Sequence, residues 1–403
     1  MLKVSVLQSI VKDAFMEVVD RQEILSVLET LPRIFPDIDS SLLQSYATTL
    51  QYEKVVKFGG QHIINTFFPP FPSKAFENVF NRGLNYPMVT NVAVTNNCGR
   101  GCDYCSYSPS GGNPDLSLDQ LKSIMGQLQD LRVPIIGITG GEPLLRPDLE
   151  EIIGSIDDRS STILFTGGGL TLERARNLKN AGLFCMSVSL DHHSEKINDK
   201  RRFLGSHKAA LQAIENSLAA CLYTVSSIVV DGKNFEDLEE YIRYMGQVGV
   251  HGIRVSDVVP SGACIDQPPL SPAQKREIIE IHKRINANPF LPQLTTYSYI
   301  ESEEMFGCGA GGVHHMFVDG EGKLRPCDFV PAVFGDLTKE PLREAYSRMR
   351  KVFERPRSAC PMGECHEGMS RILAGRNVAD GEEVEALLRE TRGKCGLPCL
   401  YKA

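Results

Sequence analysis

VTNVAVT (89–95) runs directly into NNCGRGCDYC (96–105). The first stretch is short, apolar and rich in β-branched residues, so it is predicted to be a buried strand. The second places Cys98, Cys102 and Cys105 in a loop at the C-terminal end of that strand. With three and then two residues between them, three thiolates can turn into one loop concavity. A closed structural metal shell takes four ligands, whereas three protein thiolates leave one position for a small molecule.

The same unit recurs downstream. PIIGIT (134–139), STILFT (161–166), FCMSVSL (184–190), LYTVSSIVV (222–230) and GIRVSDVV (252–259) are each followed by a helical pattern, near 147–156, 171–181, 207–220, 235–248 and 271–287. A helix near 117–131 follows the first strand. The strands read as continuous apolar runs, as parallel strands covered on both faces do. Six units are too few to close an eight-fold barrel. The expected fold is α/β: an open (β/α)6 partial TIM barrel with a helical N-terminal extension and a small cysteine-rich C-terminal domain. Boundaries are expected at 1–87, 88–300 and 301–403. Chemistry in such folds gathers at the C-terminal ends of the strands.

Upstream, Val4, Leu7, Val11, Phe15 and Val18 predict an amphipathic helix over 3–19. Its polar face carries Asp13, Glu17 and Asp20, which favours packing on the protein's own core over a membrane surface. NTFFPPFPS (65–73) is broken by prolines and cannot be a helix interior. It is expected to be a packed connector, with a cover over the barrel or a substrate surface as the other readings.

Composition narrows the function. The 403 residues are 42% hydrophobic, enough for a large core, and the net charge of -7 gives no reason to expect nucleic acid as a partner. No run of eighteen apolar residues appears, and the first twenty residues do not have the pattern of a signal peptide. A cytoplasmic protein is expected. Twelve cysteines in a reducing compartment point to metal or redox chemistry and not to disulfides. Cys185 and Cys221 lie in apolar stretches and read as buried thiols. Cys264 receives no role.

The C-x3-C-x2-C loop after the first strand, with aromatic Tyr104 before its last cysteine, resembles that of the radical S-adenosylmethionine (radical SAM) enzymes. TGGEPLL (139–145), after the second strand, looks like the family's GGE motif, which implies Gly140, Gly141, Glu142 and Pro143 as contacts of the SAM amino group. SVSLD (187–191) resembles its ribose and carboxylate contact, with Ser189 and Asp191 matching. RVSDVVPSG (254–262) is similar to the motif that lies against the adenine. TGGGL (166–170) departs from the TNG common in relatives. The resemblance covers roughly residues 88–300. It implies a [4Fe-4S] cluster on Cys98, Cys102 and Cys105, whose open iron is chelated by SAM. Reductive cleavage would give a 5′-deoxyadenosyl radical that takes hydrogen from a substrate. A low-potential flavodoxin or ferredoxin is the implied electron donor.

The tail resembles the SPASM or twitch auxiliary-cluster domains of such enzymes. Cys308 and Cys327 flank a predicted hairpin with a tight DGEG turn, and Cys360, Cys365, Cys395 and Cys399 follow. The six cysteines depart from the seven of a full SPASM tail. The resemblance implies one auxiliary [4Fe-4S] cluster held by Cys308, Cys327, Cys360 and Cys365. Sets using Cys395 or Cys399, a second cluster and a zinc knuckle remain as alternatives. His314 and His315 are expected on the hairpin surface. His192 and His193 would face the barrel mouth and touch substrate or serve proton transfer, or do neither. Relatives with such tails act on peptides, protein side chains and precursors of cofactors or tetrapyrroles, so the substrate is expected to be a peptide or small molecule, with a hydrophobic or lipid molecule also open. A non-catalytic iron–sulfur electron carrier is the competing class, and the GGE and SVSLD motifs speak against it.

Overall fold

The structure, a computed structural model, describes residues 51–80, 87–107, 114–373, 376 and 378–391. The helix expected over 3–19, Cys395 and Cys399 lie outside the described residues, as does the side chain of Cys365.

Six strands carry the expected alternation: β1 (Val89–Ala93), β2 (Ile135–Thr139), β3 (Ser161–Thr166), β4 (Cys185–Ser189), β5 (Tyr223–Val230) and β6 (Gly252–Asp257). Neighbours pair in parallel from β1 through β6. The connections are α1 (Leu118–Asp130), α2 (Leu149–Gly154), α3 (Leu172–Asn180), α4 (Glu195–Arg201), α5 (Ser206–Ala219), α6 (Leu238–Val248) and α7 (Pro272–Asn286). Local signals set their ends. Ser117 with Gln120, and Ser271 with Gln274, form capping boxes, and Gly249 closes α6 in the left-handed conformation.

The sheet runs past six strands at both edges. β7 (Gln293–Thr296) pairs in parallel with β6, and β8 (His315–Val318) pairs in parallel with β1. β9 (Lys323–Arg325) then pairs antiparallel with β8, and Gly335–Asp336 with β9. The expected hairpin is therefore present but welded to the barrel sheet, which has ten strands and open ends. Its DGEG turn is held by Asp319, whose carboxylate accepts from the backbone of Glu321 and Lys323, and by Gly322 at φ +79°. α8 (Leu342–Val352), α9 (Pro361–Leu373) and α10 (Gly381–Thr391) complete the tail. α8 is tied to α1 by Leu342 N–H donating to Gln127 Oε1 at 2.7 Å.

Strand side chains divide by the period of two. Val92, Ile136, Leu164, Met186, Val188 and Val255 pack outward with the helices in one cluster. Val89, Ile135, Ile163, Cys185 and Tyr223 face inward at the strand starts and pack on Phe58, Phe67, Phe68 and Phe71. NTFFPPFPS is thus a plug in the N-terminal end of the barrel. Gln293 of β7 pins it, donating to Ile63 O at 2.9 Å and Ile64 O at 2.8 Å while accepting from Tyr223 OH. With that end filled, solvent enters from the other. Asn91, Thr139, Phe165, Ser189, Ser227 and Ser256 share the inward face yet stay partly exposed, so they line a chamber open at the C-terminal mouth.

Among the described residues no helix is long and apolar enough to cross a membrane.

Candidate functional site

The cysteine loop sits at the mouth, and its entry is held on several sides. Asp115 accepts from the Thr95 hydroxyl at 2.5 Å and from Asn96 N–H at 2.8 Å. The GGE turn clasps the same strand exit. Gly141 N–H donates to Thr95 O and Glu142 N–H to Asn97 O, both at 2.8 Å. A Cβ on Gly140 would lie 2.4 Å from Thr95 O, and one on Gly141 2.3 Å from Asn97 O. Gly140 also sits at φ +135°, which L side chains rarely adopt. These two glycines are therefore required by the close passage of the loop entry.

Cys98, Cys102 and Cys105 are all partly exposed. Burial raises the Cys102 thiol, with Cys98 and Asp191 adding to it and Arg202 and Arg100 opposing. Burial also pushes Cys105 up to about 11, and both other thiols contribute. The three sulfurs thus sit within electrostatic reach of one another, with two guanidiniums beside them. Three thiols of one loop are the donor set that an iron–sulfur cluster uses, and the guanidiniums oppose in part the burial that otherwise disfavours their thiolate forms.

Glu142 is buried and well supplied with donors. Its carboxylate accepts from Thr166 Oγ1 at 2.7 Å, Gly167 N–H at 3.0 Å and Leu144 N–H at 3.2 Å, and it ion-pairs with Arg100. Arg100 comes from the cysteine loop itself, and its other nitrogen donates to Gly168 O at 2.9 Å. Within TGGGL the backbone requires Gly168, which sits at φ +113° and whose Cβ would lie 2.7 Å from Ala209 C and O. Pro143 begins the short helical turn that Glu142 caps.

Asp191, at the end of β4, is more enclosed than expected of a ribose contact. One oxygen accepts from Val229 N–H at 2.9 Å; the other pairs with Arg202 at 2.8 Å and accepts from Tyr104 OH. Arg202 also donates to Tyr104 OH. Burial, above all, lifts the Tyr104 phenol well above its ordinary range, so it stays a neutral donor. This trio ties the cysteine loop to the barrel wall. Ser189 is partly exposed, lines the chamber and makes no side-chain hydrogen bond among the described residues. The loop after β6 docks from the far side: Ala263 N–H donates to Cys105 O at 2.9 Å, and the Cys264 thiol lies 3.4 Å from Tyr104 O. Cys264 is thus packing beneath the loop.

The histidines resolve differently. His192 Nδ1 accepts from Ser194 N–H, Nε2 pairs with Asp237, and His193 lies 3.4 Å from Glu240. Both are engaged with the α6 side. His315 is not a surface residue. Because β8 joins the sheet, its ring turns onto Phe67 and Tyr297 and lies 3.4 Å from Glu301.

In the tail, Cys308, Cys327 and Cys360 converge. Cys308 and Cys360 share a hydrogen bond, which lowers the Cys360 thiol and raises that of Cys308. Backbone N–H groups of Met362 and Gly363 help to stabilise the Cys360 thiolate; burial, above all, raises the Cys327 thiol, and the backbone N–H groups of Phe329 and Val330 oppose that rise. Sulfurs cradled in this way suit metal thiolates.

Residues 92–245 match the family model described as the Radical SAM superfamily. The chain belongs to that superfamily. This radical SAM enzyme is 25% identical over 344 residues to the AdoMet-dependent heme synthase of Methanosarcina barkeri, across 79% of this chain and 90% of that one. It is 30% identical over 191 residues to the mycofactocin maturase MftC of Mycobacterium tuberculosis. That match takes in 46% of this chain and about half (49%) of the maturase. In fold it is like Streptococcus suis SuiB bound to its precursor peptide SuiA, with a TM-score of 0.56, 14% identity and 65% of each chain covered. The radical SAM family implies a [4Fe-4S] cluster and SAM.

The sequence missed Arg100, Arg202 and Thr166 as site residues. Arg100 lay inside the motif. Thr166 lies 24 positions from Glu142, and Arg202 lies 11 positions from Asp191 and 98 from Tyr104, so neither belongs to a motif of local spacing.

Proposed function

We propose that this radical SAM enzyme abstracts hydrogen from a peptide or cofactor-precursor substrate held in the barrel chamber. The observation that carries the reading is the convergence of Cys98, Cys102, Cys105 and Glu142 on the open mouth of a chamber whose other end is plugged. When bound, the [4Fe-4S] cluster and SAM supply a reductive cleavage that yields a 5′-deoxyadenosyl radical. Cys98, Cys102 and Cys105 hold the cluster. Glu142 accepts the ammonium of SAM, which takes the acceptor now held by Arg100. Ser189 offers a hydroxyl to the ligand from the chamber wall. Asp191 and Tyr104 act through Arg202 to fix the loop. The plug and the apolar strand starts keep water from the floor of the chamber.

Cys308, Cys327 and Cys360, with Cys365 as fourth, are proposed to hold an auxiliary [4Fe-4S] cluster in a SPASM- or twitch-like domain over 301–403. A flavodoxin or ferredoxin is the proposed donor. The names of the heme synthase and of the maturase support a cofactor precursor or a peptide as substrate.

The test is anaerobic. Reconstituted protein is given SAM and a strong reductant, and 5′-deoxyadenosine is quantified against a variant with Cys98, Cys102 and Cys105 changed to Ala. Product from the wild type and none from the variant is the expected result. No product from a wild type carrying its full iron refutes the proposal.

A further inference from the structure

Among the described residues five arginines are almost fully inaccessible: Arg146, Arg201, Arg202, Arg254 and Arg325. Three have a carboxylate at contact distance, Asp148 at 2.7 Å, Asp231 at 2.9 Å and Asp191 at 2.8 Å. Arg254 has none within 4.0 Å among the described residues, although it is only 4% exposed. Its guanidinium lies over three rings, 5.0 Å from Phe67, 5.3 Å from Phe165 and 4.8 Å from Tyr297. Its hydrogen bonds go to the neutral hydroxyls of Thr66 and Tyr297. Asp328 and Glu301 act on it from beyond ion-pair range, and burial drives both of these carboxyls toward their neutral forms. Burial lowers Arg254 itself to about 10, so it remains a cation at neutral pH.

A buried guanidinium without a counter-anion is costly to maintain and is uncommon unless something supplies the missing charge. Its position says what that something meets. Arg254 is inward-facing on β6, in register with Ser227 of β5 and Thr295 of β7. Ser227, Phe165 and Tyr297 beside it are partly exposed and border the chamber, while Phe67 beneath belongs to the plug. The cation is therefore at the chamber floor. A planar fork flanked by rings suits a planar carboxylate, which it can take through two parallel hydrogen bonds.

We infer that Arg254 is a substrate-binding residue that seats a carboxylate group of the substrate on the chamber floor. The inference rests on the reading that the chamber receives the substrate. It also orients that substrate. Three residues of strand separate Arg254 from the end of β6, about 10 Å. The carboxylate is anchored deep, and the carbon that loses hydrogen lies several bonds away, toward the cysteine loop. Such a carboxylate is either a peptide C-terminus or the acid side chain of a small molecule.

The experiment uses the anaerobically purified, cluster-loaded protein and ligand-detected NMR. The probes are 3-phenylpropionate and its amide for the small-molecule source, and an N-acetyl dipeptide acid and its C-terminal amide for the peptide source. In at least one pair, the acid is expected to bind the wild type tenfold or more tightly than the amide. Arg254→Gln abolishes that preference, and Arg254→Lys keeps part of it. Equal binding of acid and amide in both pairs overturns the inference, as does an undiminished preference in Arg254→Gln. Should Arg254→Gln fail to fold, the acid–amide comparison on the wild type and on Arg254→Lys still decides. 5′-Deoxyadenosine formation is measured on the same samples. SAM cleavage without acid preference sinks only the role of Arg254, and acid preference without cleavage sinks only the radical reading.

Discussion

Gly141→Ala separates two reasons for a glycine. The new Cβ would lie 2.3 Å from Asn97 O and 2.6 Å from Asn97 C, both backbone atoms with no rotamer to give way. An ordinary carbon–oxygen contact needs about 3.3 Å, so the loop entry must move by about 1 Å. Overpacking of this kind costs about 1–3 kcal/mol. Loss of the hydrogen bond from Glu142 N–H to Asn97 O, 2.8 Å here, adds about 1 kcal/mol. Cys98 is the next residue, so the shift passes directly to a cluster ligand. A 1 Å misplacement lowers a positioned reaction by about 100-fold. The assay is iron content after anaerobic reconstitution, the electron paramagnetic resonance spectrum of the reduced protein, and the rate of 5′-deoxyadenosine formation. Gly126→Ala is the control: it lies within α1, its Cβ would meet nothing within 4 Å, and it should gain up to about 1 kcal/mol with iron and rate unchanged. Gly141→Ala is expected to lose iron or to alter the spectrum as well as the rate. A variant with normal iron and spectrum and only weaker SAM binding would show that the glycine serves the ligand, and the clasp argument would be refuted.

Three further outcomes are expected. Asp191→Asn strands Arg202 in a buried site and should cost about 3–5 kcal/mol in anaerobic urea unfolding. Adding Arg202→Met should recover much of that loss, and strict additivity of the two changes would contradict the pairing. Burial lowers His282 from 6.5 to about 3. The unfolded chain therefore takes up a proton below pH 6.5 that the fold refuses, and stability should fall as pH drops from 6.5 toward 3, by about 4–5 kcal/mol in full. His282→Gln should flatten that slope by close to one proton, read from unfolding midpoints across the range. In the tail, Cys308→Ala or Cys360→Ala should remove about four irons per chain, whereas Cys185→Ala, inside the apolar barrel floor, should remove none; iron analysis distinguishes them.

The barrel was legible because each strand from β1 to β6 is covered by helices outside and, at its start, by the plug inside, and so carries an apolar run with few interruptions. The same physics hid the edges. β7 is QLTT, polar on its inward side because Gln293 pins the plug, and it has no strand signature of its own. The first hairpin strand, HMFV, reads equally well as part of a free hairpin; its union with β1 is set by a partner far away in sequence. At the site, Cys98, Cys102, Cys105 and Glu142 could be read because their spacing is local. The Tyr104–Asp191–Arg202 trio could not, since Tyr104 and Arg202 are 98 positions apart. NTFFPPFPS could be read as a packed connector or as a cover over the barrel, but not as a plug at its N-terminal end, because what it packs against is the inside of a barrel not yet assembled.

The union of β8 with β1 also has a consequence for synthesis on the ribosome. Val89 pairs with Ile135 of β2 as soon as α1 and β2 are made, but its other edge waits for His315, more than two hundred residues later. At about 5–20 residues per second, that edge stays bare for about 10–45 s. A nascent strand with unpaired backbone groups is a template for wrong partners. The cysteine loop hangs from the end of this same strand. Delivery of iron is thus best timed after release of the chain, when β8 has sealed the edge, and a ribosome stalled between residues 100 and 315 would present an unsealed barrel with reactive thiols at its rim.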